Sequence, residues 1–254
     1  MKLYKHQKLA LQYLRLNDSF ALFMEQGCGK TLPTLCRLFE LYKQGKIKNA
    51  LIVAPKATMG VWYRDCELFE KKDRLLLENL ITVINYDSVW RKGKGYDRHW
   101  DCIVLDESHK IKNRTSKRSA FLLKLSLNAK YRYILTGTPI GNGQLENIWA
   151  QYAFLKPTIV RGRIASEIFG TYRQFEDRYC ILNQWWKPYK YLRVDELQDI
   201  ISQYCYRVTK AECLDLPEKL PDEIYDIELK EPKLYKELHK HSTIEEMDLL
   251  AENP

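Results

Sequence analysis

Short apolar bursts alternate with longer amphipathic stretches through the first 155 residues of the chain. The bursts at 20–24, 50–54, 80–85, 102–105 and 132–135 read as strands. The stretches at 5–16, 30–43, 58–70, 116–127 and 143–155 read as helices. Leu32, Leu35, Leu38 and Phe39 mark the helical period in the second of these. Strands separated by helices predict βαβ units and a mostly parallel sheet. The nearly unbroken hydrophobicity of 50–54 and 102–105 predicts strands covered on both faces. The predicted fold class is therefore α/β, with helices on both sides of the sheet.

After Lys156-Pro157 the texture changes. Residues 158–222 are rich in Tyr, Trp, Arg and Gln with weaker periodicity, and predict a small, mostly helical extension on the first unit, 1–157. Residues 223–254 are charged and read as a linker or tail. Within the extension, Trp185, Trp186, Tyr189 and Tyr191 beside two lysines suit either a hairpin with one apolar face or a platform for stacked bases. No internal repeat or low-complexity tract interrupts the chain.

Composition narrows the class only modestly. A hydrophobic share of 45% supports a true core, and a net charge of +8 favours a polyanionic partner without requiring one. Seven cysteines, at 28, 36, 66, 102, 180, 205 and 213, lack C-x-x-C pairing, and several sit in apolar runs. They read as reduced, buried thiols. The chain opens without a signal-peptide pattern and has no run of transmembrane length, so an intracellular protein with no membrane partner is expected.

Two short segments carry the chemistry. Gly27-Cys28-Gly29-Lys30-Thr31 follows an apolar strand and opens a helix. A glycine turn in that setting aims backbone N–H groups and a positive helix end at phosphates. Lys30 would reach the β- and γ-phosphates, and the Thr31 hydroxyl would hold Mg²⁺. Met24 stands where the usual loop pattern has its first glycine, but the part that binds phosphate is intact. Asp106-Glu107-Ser108-His109 follows the strand at 102–105, at the strand tip where open α/β sheets bind ligands. Asp106 would bind the metal, and Glu107 would orient and deprotonate the attacking water. Together the two segments predict a nucleoside triphosphate with Mg²⁺ as cofactor.

Seven ordered segments then resemble one family. Leu3-Tyr4-Lys5-His6-Gln7 is similar to its adenine-reading opening, and Leu51-Ile52-Val53-Ala54-Pro55-Lys56-Ala57-Thr58 with Trp62 to its first DNA-contact motif. Val83-Ile84-Asn85-Tyr86 is similar to the next segment, and Asp106 to Asn113 to its D-E-x-H-x-x-K-N box. Leu135-Thr136-Gly137-Thr138-Pro139-Ile140-Gly141-Asn142, then Glu146, Trp149 and Phe154 to Pro157, follow its most discriminating signature. Arg207-Val208-Thr209-Lys210 and Leu216-Pro217-Glu218-Lys219 are similar to its exit segment. The chain thus resembles the N-terminal RecA-like lobe of a Swi/Snf-like superfamily-two helicase-type ATPase, a translocase on double-stranded DNA.

That resemblance implies a set of residue roles. Gln7 would read adenine, and Gln26, Gly27, Cys28, Gly29, Lys30 and Thr31 would cradle the phosphates. His109, Thr136 and Thr138 would couple the nucleotide site to the neighbouring loop, while Lys56, Thr58, Asn113 and Asn142 would meet the DNA backbone. It also implies a second RecA-like lobe, in cis or in trans, bringing arginines that have no counterpart in this sequence. The isolated chain is then expected to hydrolyse ATP weakly. An RNA or single-strand helicase lobe, or a nucleotide- or DNA-binding module that never turns over, is the alternative.

Overall fold

The computed structural model describes residues 2–91, 95–141 and 143–213. Six strands form one all-parallel sheet. β1 (Ser19–Met24), β2 (Ala50–Ala54), β3 (Ile81–Asn85), β4 (Cys102–Asp106) and β5 (Tyr131–Leu135) are the five that the apolar bursts predict. The helices among them are α1 (Lys5–Leu16), α2 (Thr31–Lys43), α3 (Met59–Cys66), α4 (Lys71–Leu80), α5 (Lys117–Ser126) and α6 (Asn147–Leu155). The predicted helix at 58–70 stops early, at Cys66 of α3, where the chain turns at Glu67 to Phe69; α4, from Lys71, lies beyond the predicted range.

The period-2 alternation of side chains divides the interior into two cores. Phe20, Leu22, Met24, Ile52 and Val104 face one way and pack with residues of α1 to α4, Trp62 among them. Ala21, Phe23, Val53, Ile103 and Leu105 face the other way, towards α5 and α6. Every residue of β1, β2 and β4 is buried, as strands covered on both faces require.

Beyond α6 the chain forms β6 (Pro157–Val160) with β7 (Arg163–Ser166), α7 (Tyr172–Tyr179), β8 (Cys180–Leu182) with β9 (Pro188–Tyr191), and α8 (Val194–Ser202). Both strand pairs are antiparallel hairpins, so this stretch carries strand as well as helix. Trp185, Trp186 and Tyr189 lie exposed on the second hairpin. Phe169, Phe175, Tyr179 and Leu197 seat the extension on the α5–α6 core. The chain then returns to the main sheet as β10 (Cys205–Val208), followed by the short α9 (Lys210–Cys213). The strand order is β10-β1-β5-β4-β2-β3. The predicted tail at 223–254 and the Leu216-Pro217-Glu218-Lys219 segment lie outside the described residues.

Candidate active site

Because β1, β5, β4 and β2 are parallel neighbours, the loops that follow them meet along one edge of the sheet. The loop after β1 is the predicted phosphate cradle. Gly27 and Gly29 take φ of +91° and +68°, a region that side chains other than hydrogen disfavour. At Gly29 the need is also steric, since a Cβ there would collide with the Gln7 side-chain nitrogen. Gln7 Nε2 donates to the Gly29 carbonyl at 3.2 Å, and its Oε1 accepts the Tyr4 N–H at 3.0 Å. His6 Nε2 donates to the Cys28 carbonyl at 2.9 Å, so α1 is fastened to the loop twice over.

Lys30 is buried and bent back on the loop. Its ammonium donates to the Met24 carbonyl at 2.9 Å and lies 3.9 Å from Glu107 Oε1. Thr31 opens α2 behind it, and the Thr34 hydroxyl secures that turn by donating to the Lys30 carbonyl at 2.9 Å. The exposed Gln26 stands on the same loop.

The two carboxylates at the end of β4 occupy different environments. Asp106 is 8% exposed, and its Oδ2 accepts from the Trp62 indole at 3.2 Å and the Thr58 hydroxyl at 3.4 Å. Burial pushes the Asp106 carboxyl above its ordinary range, and the Trp62 bond only partly offsets this. Glu107 takes φ of +52°, a left-handed conformation costly for a residue with a Cβ. Burial pushes its carboxyl up too, but the His109 bond, the Lys30 ammonium and Thr136 outweigh it and hold Glu107 below the usual range. One carboxyl is therefore tuned towards protonation and its neighbour towards the anion.

Thr136 sits at the junction of these loops. Its hydroxyl donates to Glu107 Oε2 at 3.1 Å, accepts the Thr138 N–H at 3.1 Å, and lies 3.0 Å from His109 Nδ1. With the hydroxyl proton given to Glu107, Nδ1 is the donor, and its proton is shared between Thr136 and Glu107 Oε2 at 3.3 Å. His109, Thr136 and Thr138 are thus in one network, Thr138 through its backbone. Gly137 lies against the phosphate loop, where a Cβ would come within 3.1 Å of the Gln26 nitrogen. From α6, Gln151 accepts the Ser108 hydroxyl at 2.7 Å and donates to the Pro139 carbonyl at 2.7 Å. That one amide ties the carboxylate loop to the loop after β5.

The residues expected to meet nucleic acid are spread differently. Lys56 is exposed at the start of a single 3₁₀ turn. Thr58, in the same turn, directs its hydroxyl inward to Asp106 and the Pro55 carbonyl. Asn113 is exposed, and its Oδ1 accepts the Thr115 N–H and hydroxyl at 3.1 and 2.8 Å. Asn142 lies outside the described residues. The sequence reading gave no role to Tyr86, whose hydroxyl donates to the Asp106 carbonyl at 2.8 Å, nor any contact to the exit segment. Yet that segment touches the phosphate loop: Glu25 N–H donates to the Val208 carbonyl at 3.0 Å, and the Cys213 thiol lies 3.4 Å from Cys28 Sγ. Burial, then Cys213, pushes the Cys28 thiol up to about 11.

Comparison with known proteins agrees with this architecture. A family model described as the SNF2-related domain matches residues 70–252. An ISWI chromatin-remodeling complex ATPase of Arabidopsis thaliana is 30% identical over 178 residues, covering 62% of this chain and 16% of that protein. A putative ATP-dependent helicase/translocase of Bacillus subtilis is 26% identical over 246 residues, covering 85% of this chain and 24% of that protein. Among solved structures, the SWI2/SNF2 ATPase core of Sulfolobus solfataricus in complex with dsDNA superimposes with a TM-score of 0.68 at 24% identity, over 85% of this chain and 47% of that one. The chain therefore spans less than a quarter of these two curated relatives and about half of the solved core. The family match begins downstream of the phosphate loop, so the assignment of that loop stands on its own geometry.

Proposed function

The chain belongs to the SNF2-related family, and from that premise we propose that it is the ATP-binding N-terminal lobe of a DNA-dependent ATPase and translocase. In this reading residues 1–157 are the RecA-like lobe, 158–222 an extension packed on it, and 223–254 the link towards a second lobe. The observation that carries it is the convergence of Lys30, Asp106, Glu107 and Thr136 at the tips of three neighbouring parallel strands. Open α/β sheets bind ligands at such strand tips.

The donors present fit the expected ligands. Among the described residues Asp106 Oδ1 accepts no hydrogen bond, because Trp62 and Thr58 both bind Oδ2, and the Thr31 hydroxyl stands at the start of α2. Asp106 and Thr31 are the residues that would hold Mg²⁺, which would supply neutralisation of phosphate charge there. Gln7 keeps one amide proton and one lone pair after bonding Gly29 and Tyr4, and these suit the adenine edge. Glu107, held as the anion, is the base that takes the proton of the attacking water, and Thr136 and His109 fix its orientation.

Lys30→Ala tests the site. Charge-assisted hydrogen bonds to phosphate contribute roughly 1.5–3 kcal/mol. The variant should bind ATP at least about tenfold more weakly by calorimetry with its melting temperature kept. Equal affinity would remove the phosphate-loop assignment.

The solved neighbour was determined with duplex DNA, and the net charge of +8 supports a polyanionic partner for this chain also. Lys56, Thr58, Asn113 and Asn142 are proposed to contact the DNA backbone. Such contacts position without reading sequence, so affinity should fall steeply with salt and vary little between scrambled duplexes. Titrations at two ionic strengths check both halves, and a flat salt response would count against a basic DNA-binding face. An intracellular location follows from the same reading.

A further inference from the structure

β10 runs parallel to β1 with Val208 opposite Met24, so the two strands end side by side. The turn that follows β10 therefore meets the phosphate loop that follows β1. Two hydrogen bonds of Glu25 fix the meeting: its N–H donates to the Val208 carbonyl at 3.0 Å, and its side-chain Oε2 accepts the Lys210 N–H at 2.7 Å. With its backbone anchored there, Lys210 lays its side chain over Gly27. Its Cε lies 3.2 Å, and its ammonium nitrogen 3.8 Å, from the point a Cβ on Gly27 would occupy. The lysine thus fills the space that the missing side chain of residue 27 leaves open.

Among the described residues the charge brought there has no ion-pair partner. Glu25 binds the backbone amide of Lys210, and among the described residues no carboxylate lies within ion-pair distance of its ammonium. A second ammonium, that of Lys30, already turns towards the same loop at the Met24 carbonyl. Two lysines from strands adjacent in the sheet but far apart in sequence converge on one glycine turn. Ammonium groups ordered without an acid partner bind anions through charge-assisted hydrogen bonds, and compact multiply charged anions such as polyphosphates gain most.

We propose that Lys210 is a phosphate-binding residue of the nucleotide site, gripping the polyphosphate of ATP over Gly27 and making the end of β10 a wall of that site. The proposal rests on the ATP-site reading. A separate open cleft of about 520 Å³ lies between α1 and the exit segment, lined by Tyr4, His6, Tyr206, Arg207, Glu212 and Cys213, and Lys210 stands outside it. The contact would make nucleotide binding sense the seating of the exit segment, through one lysine.

Calorimetry on the 254-residue chain with ATP, ADP and AMP tests this, using Lys210→Met, Lys210→Arg and Lys30→Ala. Methionine keeps the length of the stem and removes the charge; arginine keeps the charge. Lys210→Met should weaken ATP about tenfold, weaken ADP less, and leave AMP unchanged, while Lys210→Arg keeps most of the ATP affinity. Thermal melts run alongside show whether the exit segment remains seated. Undiminished ATP affinity in Lys210→Met would overturn the proposal. So would an equal loss for all three nucleotides, the result of a merely structural role. If Lys30→Ala weakens ATP and Lys210→Met does not, the proposal fails and the ATP site stands. Wild-type protein that binds no ATP, or Lys30→Ala that binds it normally, removes the site and the proposal together.

Discussion

Glu107→Gln, placed in a two-lobed form of the enzyme, will lower ATP turnover by about 10²- to 10⁴-fold while Mg·ATP still binds. The amide has the size and shape of the carboxyl but cannot take a proton from water. Its surroundings fix what is lost. Thr136 donates to Glu107 Oε2, and His109 and Lys30 keep the group ionised despite its burial. Glutamine can still accept from the Thr136 hydroxyl through its carbonyl oxygen, so the network keeps its geometry and loses its base. Asp106, with its carboxyl raised by burial, retains the donors Trp62 and Thr58 and with them its proposed metal-binding geometry. Binding and chemistry should therefore separate: calorimetry gives near-normal ATP affinity, and a phosphate-release assay gives almost no product. Turnover surviving near the wild-type rate would mean that another group takes the proton.

Much of the fold is legible because its central strands are buried on both faces. Ala50 to Ala54 and Cys102 to Leu105 are apolar throughout, as is Phe20 to Met24. β10 escaped notice for the opposite reason. It is an edge strand, Cys205-Tyr206-Arg207-Val208, with only Val208 fully buried, and its partner β1 lies far upstream. α4 is not legible as a helix because it opens on four charged residues, Lys71-Lys72-Asp73-Arg74, and only Leu77 and Leu80 of it are buried.

The site divides along the same line. Gly27 to Thr31 and Asp106 to His109 are contiguous, and local backbone geometry makes each legible from spacing alone. The network of His109, Thr136 and Thr138 was legible only through the resemblance. Contacts that depend on strand order were not legible at all. Trp62 reaches Asp106 because β2 pairs with β4, and Lys210 reaches Gly27 because β10 pairs with β1. Thr58 turns to Asp106 for the same reason as Trp62.

The 254-residue chain alone will hydrolyse ATP slowly, with or without DNA, and a second RecA-like lobe will raise the rate by about 10³- to 10⁵-fold, the range that a supplied arginine finger provides. Within the described residues the proposed chemistry has a base in Glu107 and a cradle in Gly27 to Thr31. The strand-tip cations on it are Lys30 and Lys210. Both come from the loop side. Stabilising the charge that develops on the γ-phosphate in the transition state needs donors on its far side as well. Arg132 is turned away for another task, its Nε donating to the Leu155 carbonyl at 2.8 Å, and Arg37 is buried with its Nε donating to the Tyr133 hydroxyl at 3.3 Å. The chain also spans 47% of the solved core that it resembles, a share that leaves room for a whole further lobe. The measurement is DNA-stimulated phosphate release by residues 1–254, first alone and then with a second lobe supplied in cis or in trans. Full stimulated turnover by the purified monomer would show that an arginine of this chain acts on its own γ-phosphate, and the two-lobe requirement would be withdrawn.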